Sequence, residues 1–282
     1  MPDIHAIHGL TALFKLGLLG VTMSLPSVLV ASQPTRILVV KPSQNAVLTQ
    51  QQVAQQLVKR AGDVNNWHTE SRVVPASAVR DSIVREHPSF GIVPFATFLA
   101  LREAHDLELI GATTSRRQFV LVSRTGKSAT QSPAVCRGLP LASTHISDPA
   151  FVDRVVSAGA WRLGDFELAP AQSTGLPLRQ VLTGEAACAL VDTRQLAQLT
   201  GFDDKVQVVW QSREFPDNVV VAFGQASASE RATFRSHLRE ICQGTGEATC
   251  DQLGTAGFEP TRRGGFRDEV RAYEYARRAP GS

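Results

Sequence analysis

The chain has 282 residues, 43% of them hydrophobic and 20% charged, with four cysteines and a formal net charge of +3. That apolar content supports packed cores in one large or two modest domains and excludes a disordered chain. The basic residues are scattered without the dense, aromatic-interleaved face that nucleic-acid binding needs, which argues against a nucleic-acid partner.

In chain order, Lys15 is followed by an apolar run, Leu16–Ala31, too short to span a bilayer comfortably and ending in small residues. Residues 1–32 are predicted to be a cleaved signal peptide, with an uncleaved anchor as the alternative. The leader carries only Asp3 and Lys15, so its removal leaves the net charge unchanged. Export into an oxidising space follows as the expectation.

Behind the leader, Arg36–Val40 reads as a strand and Lys41–Asn45 as a polar turn. Val53, Ala54, Leu57, Val58 and Ala61 then stripe a helix that Gly62 is expected to end. Val79, Ile83 and Val84 stripe a second helix. The segment Phe90–Val93, bounded by Pro88 and Pro94, has the length of a buried parallel strand, and a helix is predicted to follow over Phe95–Glu103. Leu107–Ile110 and Phe119–Val122 are two further strands.

From Arg124 the composition turns to Gly, Ser, Thr and Pro, as in a linker. Alternation resumes at Leu139–Ala142, with Asp148 as N-cap and Pro149 opening a helix whose buried face is Phe151, Val152, Val155 and Val156. The strand Phe166–Leu168, a helix near Leu178–Leu182, the strand Ala187–Val191, a helix over Thr193–Leu199 and the strand Val206–Val209 complete this set. Val219–Phe223 is a last long strand. Ser227 and Glu230 form a capping box for a helix carrying Phe234, Leu238 and Ile241, and a final helix over Phe266–Arg277 offers Val270 and Tyr273 for packing, with Tyr275 as a further candidate.

Enzymatic signatures are missing. There is no G-x-S-x-G, G-x-G-x-x-G, P-loop or H-E-x-x-H, and Ser143, His145 and Asp148 lie too close together in sequence for a hydrolase triad. The chain is therefore read as a binding protein rather than an enzyme, with no cofactor. Cys242 and Cys250 flank a flexible Gly-Thr-Gly loop and form one disulfide candidate. Cys136 and Cys188 form another, although Cys188 in its apolar run also suits a buried thiol. No pair has zinc-site spacing, so no metal site is expected.

Open α/β sheets bind ligands beyond the C-terminal ends of their strands, which selects the candidate ligand residues. Ser43 and Gln44 follow the first strand, and Phe95 and Thr97 follow Pro94. Thr114 lies in the polar segment before Phe119, where one of the adjacent Arg116 and Arg117 must face outward. Ser143, Thr144, His145 and Ser147 place three hydroxyls and an imidazole just before a helix, and Asp192 ends a strand. Each has a plainer alternative: an exposed loop for Ser43 and Gln44, core packing for Phe95, turn or cap duty for the serines, and an N-cap for Asp192.

Three stretches, Phe90–Leu99, Gly184–Asp192 and Trp210–Phe223, are similar to segments of the type II periplasmic solute-binding proteins. The likeness is to their phosphate, phosphite and phosphonate branch, which serves ABC importers. The resemblance implies an α/β, two-lobed fold, each lobe a mostly parallel sheet flanked by helices, joined by two crossing strands near Phe119–Val122 and Val219–Phe223. Lobe one would comprise residues 33–123 and 221–282, and lobe two residues 124–220. It further implies a monomer that closes on a small polar or anionic, phosphate- or phosphonate-like solute and then meets a membrane permease. Two departures, the missing glycine after the Ser143–Thr144 hydroxyls and Ala187–Cys188 where the family often has an acid, support an alternative. That alternative is a periplasmic sensor or accessory protein with a degenerate cleft.

Overall fold

The computed structural model describes residues 33–41, 48–125, 132–171, 175–199, 203–262 and 264–278. From Pro34 onward they belong to one unit. The predicted signal peptide and the candidates Ser43 and Gln44 lie outside the described residues.

The first half carries β1 (Thr35–Lys41), α1 (Leu48–Asn65), β2 (Thr69–Pro75), α2 (Val79–Glu86), β3 (Phe90–Pro94), α3 (Phe95–Leu101) and β4 (Glu108–Thr113). The second carries β5 (Arg116–Arg124), β6 (Pro140–Ser143), β7 (Glu167–Pro170), α4 (Leu176–Thr183), β8 (Cys188–Asp192), α5 (Thr193–Ala197) and β9 (Val206–Pro216). The chain then returns through β10 (Asn218–Ala222), α6 (Ala228–His237), α7 (Glu247–Gln252), β11 (Phe258–Pro260) and α8 (Arg267–Arg278).

Two sheets result, ordered β11-β4-β10-β3-β1-β2 and β7-β6-β8-β5-β9. In the first, β1 pairs in parallel with β2 and β3, while β10 runs antiparallel to both β3 and β4. In the second, β6 pairs in parallel with β7 and β8, while β5 runs antiparallel to β8 and β9. The halves thus repeat one plan: three parallel strands, one reversed strand, and a fourth beyond it. The reversed strand is in each case the first one formed after the chain enters that sheet from the other.

Strands β1, β5 and β10 are unbroken apolar runs because both of their faces are covered. Ile37 and Val39 pack with α1 side chains Leu57 and Val58, whereas Leu38 and Val40 point to the opposite core. Val219 and Val221 share that opposite core with Phe119 and Leu121 of β5, so one apolar cluster runs through both halves. Each half keeps a second core of its own on the far face of its sheet.

Several expected elements differ in extent. Helix α1 runs past Gly62 to Asn65, and Asn66, with φ 55°, turns the chain instead. Gly62 serves a close approach: a Cβ there would sit 2.6 Å from Thr69 Oγ1 on β2. Val84 is 62% and Tyr275 68% exposed, so neither packs in a core. The predicted strand near Phe119–Val122 begins at Arg116 and lies wholly in the second sheet. The chain changes sheets at Thr114–Ser115 and again at Asp217, in short links between strands. The helix opened by Pro149 buries all four expected side chains, but over Phe151–Val156 it is wound as a π-helix. Both expected disulfides form, Cys136–Cys188 and Cys242–Cys250.

Candidate functional site

Because β4 leads into β5 and β9 into β10, the two sheets confront each other at the C-terminal ends of their parallel strands. This is where open α/β sheets take ligands. The first sheet offers Pro94 and Phe95; the second offers Ser143 at the end of β6, Asp192 at the end of β8, Arg117 at the start of β5 and Phe215 near the end of β9.

Between the adjacent arginines the pleat decides. Arg116 faces outward and pairs with Glu259, and Arg117 turns inward. The Arg117 guanidinium lies 3.1 Å from Asp192 Oδ2 and 3.3 Å from Asp217 Oδ1, and it also donates to the Asp217 carbonyl at 3.0 Å. Arg194 of α5 pairs with Asp217 as well and donates to the Gly254 carbonyl at 2.6 Å. Two guanidiniums and two carboxylates therefore neutralise one another where the chain changes sheets. Burial pushes the Asp217 carboxyl up, and Arg117 and Arg194 oppose that rise.

Asp192 has two tasks. Its Oδ1 accepts from the Gln195 amide at 2.9 Å while the Gln195 side chain accepts from the Asp192 amide, a capping box that starts α5, and Oδ2 remains for Arg117. Ser143 is fully buried, and its Oγ accepts from the His145 amide at 3.1 Å. Thr144 is half-buried and Ser147 exposed. Asp148 caps the following helix through Oδ1 and the Phe151 amide at 3.1 Å, and Oδ2 accepts from the Tyr273 hydroxyl at 3.2 Å. Burial raises the Asp148 carboxyl despite those two bonds, and it raises the Tyr273 hydroxyl too.

His145 meets the edge of Phe119 at 5.3 Å and lies 5.7 Å from Phe151. Burial among these rings, with Arg117 adding repulsion and Asp192 opposing it, lowers its pKa to about 4, so the imidazole is neutral near pH 7. Phe95 is 2% exposed and sits 5.9 Å from Phe215 and 5.0 Å from Phe266. Phe215 in turn lies 6.0 Å from Phe119. An aromatic seam thus crosses from the first half to the second.

Thr97 is half-buried on α3. Thr114 is exposed at the first sheet change and donates to the Gly257 carbonyl at 3.3 Å. The structure therefore gathers Phe95, Ser143, His145 and Asp192 around the junction, with Thr114 exposed on the first link and Ser147 exposed to water. The sequence offers Tyr273 only for packing, where it is indeed buried, and does not single out Asp217, Arg194 or Phe215. Phe215-Pro-Asp-Asn218 is a turn signature between two strands, the one signal that marked Asp217 as a junction residue. Among the described residues no group of His, Cys, Asp or Glu side chains is placed to hold a metal ion. No described helix is long and apolar enough to cross a membrane.

No curated protein sequence matches the chain. Among solved structures, a protein from Xanthomonas citri bound to ATP superposes with a TM-score of 0.66 at 12% identity, covering 86% of this chain and 98% of that one. A phosphonate-binding protein from Prochlorococcus marinus in complex with methylphosphonate gives 0.66 at 11% identity, covering 88% and 100%. The binding component of an ABC phosphonate transporter from Pseudomonas aeruginosa gives 0.60 at 13% identity, covering 88% and 90%. At these identities the likeness establishes the two-lobed type II binding-protein fold. Residues 77–264 match the family model of the ABC transporter phosphonate periplasmic substrate-binding protein, and the chain belongs to that family.

Proposed function

We propose that the chain is an exported substrate-binding protein of an ABC importer. Its leader, residues 1–32, is removed, and the mature monomer works in the periplasm. It grips a small polar or anionic solute, phosphate- or phosphonate-like, between its two halves and presents the closed form to a membrane permease. The observation that carries this reading is the confrontation of two sheets of like plan at the C-terminal ends of their strands, joined by two short links about which they can rotate. Ser43 and Gln44 from the first half, and Ser143, Thr144, His145 and Asp192 from the second, are the proposed hydrogen-bonding groups, with Phe95 and Thr97 beside them.

A thermal-shift panel on the mature protein tests this. A compound that binds only the folded state stabilises it by about 2.7 kcal/mol at a hundredfold excess over Kd. Methylphosphonate, phosphite or phosphate should raise Tm by several degrees, and sulfate or amino acids by less. A flat response across the panel overturns solute binding.

One observation favours a second reading, a periplasmic sensor or accessory protein. Arg117 is already neutralised by two carboxylates, and Phe95, Phe119 and Phe215 occupy the junction with apolar bulk. A flat panel combined with capture of a defined exported partner would select that reading.

A further inference from the structure

Helix α8 is fastened to both halves at once. Toward the first half, Glu274 pairs with Arg102, and Arg278 donates to Glu103 Oε1 at 2.9 Å. Arg277 donates to the Ala100 carbonyl at 3.5 Å, and Phe266, just ahead of the helix, packs 5.0 Å from Phe95. Toward the second half, the Tyr273 hydroxyl donates to Asp148 Oδ2 at 3.2 Å, and Glu269 Oε1 lies 3.2 Å from Arg213 Nη1 on β9. The second set is partly sheltered from water, since the Tyr273 residue is 4% and the Glu269 side chain 12% exposed. Such contacts are worth more than fully solvated ones.

We infer that α8 is a strap across the two halves that limits how far they open. The inference rests on the binding-protein reading and adds the element that regulates its motion. Among the described residues the backbone passes between the two sheets at Thr114–Ser115 and at Asp217. Rotation about these links would carry Asp148 and Arg213 with the second sheet. Three polar contacts to α3 and its following turn, with the Phe266 ring, hold α8 to the first half, and packing on the Phe151–Val156 π-helix holds it to the second. Opening must therefore part α8 from one half, and the hydrogen bond Tyr273–Asp148 and the ion pair Glu269–Arg213 are the polar contacts of α8 that it strains on the second half, beside the Phe95–Phe215 contact in the core. The strap stands opposite the charge cluster in function: Arg117 and Arg194 hold the links themselves, whereas α8 spans from one half to the other.

The test measures opening directly, in the mature chain without solute. All four cysteines are in disulfides, so spin labels are introduced through non-canonical amino acids at Val84 on α2 and Leu168 on β7, exposed by 62% and 45% and on opposite halves. The variant Tyr273→Phe/Glu269→Gln removes both polar attachments and keeps the ring. Its ratio of long to short inter-label distances should rise roughly 5- to 30-fold, the effect of losing one or two modest interactions. An unchanged distance distribution in a variant with parental circular dichroism overturns the strap. Should the double variant fail to fold, Glu269→Gln alone must shift the same ratio in the same direction, and no shift is equally fatal. Running the solute panel on these proteins separates the two ideas: a wider opening with no solute response upholds the strap and sinks the binding function.

Discussion

Arg117 and Asp217 fasten the two points at which the chain changes sheets: Arg117 Nη2 donates to the Asp217 carbonyl at 3.0 Å, and Arg117 Nε lies 3.3 Å from Asp217 Oδ1. Arg117 begins the strand after the first link, and Asp217 is the second link. Replacing Arg117 with Met leaves Asp192 and Asp217 close together with only Arg194 to answer them. Breaking a buried pair from one side costs about 3–5 kcal/mol, and the remaining Arg194 places this case near the lower figure. Arg117→Lys keeps the charge but cannot reach three acceptors with a planar fork, so a loss of about 1–2 kcal/mol is expected. Urea unfolding of the two variants decides, and an Arg117→Met midpoint equal to the parent's would refute the arrangement.

The disulfides should differ in worth because they close loops of different length. Cys136–Cys188 spans 52 residues and Cys242–Cys250 only 8. Loop-closure entropy assigns them about 4 and about 2.5 kcal/mol respectively. Calorimetry of the paired Cys→Ala variants should show the larger drop in Tm for Cys136/Cys188, and the opposite order would contradict an entropic origin.

His145 should make stability depend on pH in one window. Its folded pKa of about 4 lies below the usual 6.5 because burial disfavours the imidazolium, with Arg117 adding to the effect. Between pH 6.5 and 4 the unfolded chain binds a proton that the folded chain refuses, so stability falls as pH falls through that range and levels off below it. At 1.36 kcal/mol per pKa unit the loss reaches about 3 kcal/mol at most. His145→Gln removes this contribution, so the difference between parent and variant stability, measured by urea unfolding at pH 7 and pH 4.5, should shrink on acidification. A constant difference would place the imidazole in water.

Much of this architecture was legible in the residues, and the failures have a common physical origin. Strands buried on both faces announce themselves as apolar runs, and β1, β3, β8 and β10 were found within a residue or two. Asp148, Asp192 and Ser227 are caps because an acceptor side chain before a helix satisfies orphan amides, and all three do so. The edge strands of the first sheet carry no such run. Strand β2, Thr69–Pro75, alternates half-buried and exposed positions, and β11 has only three residues, so neither was visible. The junction was the least legible part. Arg117, Arg194 and Asp217 acquire meaning only when loops far apart in sequence are brought together, and no local pattern encodes that meeting.

Phe215 ties the halves together from within the core. It is 1% exposed, and its ring lies 5.9 Å from Phe95 in the first half and 6.0 Å from Phe119 in the second. Because one apolar cluster includes all three, the halves should unfold in a single transition. Phe215→Ala removes the shared ring, costs about 3–5 kcal/mol and should uncouple them. The tryptophans report each side separately: Trp67 packs against Phe90 and Phe234 in the first half, and Trp161 packs edge-on to Trp210 in the second. With Trp67→Phe in one background and Trp161→Phe/Trp210→Phe in the other, the parent should give coincident urea transitions and Phe215→Ala two separated ones. Phe215→Leu, which refills part of the space, should bring them back together. Coincident transitions in Phe215→Ala would show that the halves are coupled elsewhere, with α8 as the next element to remove.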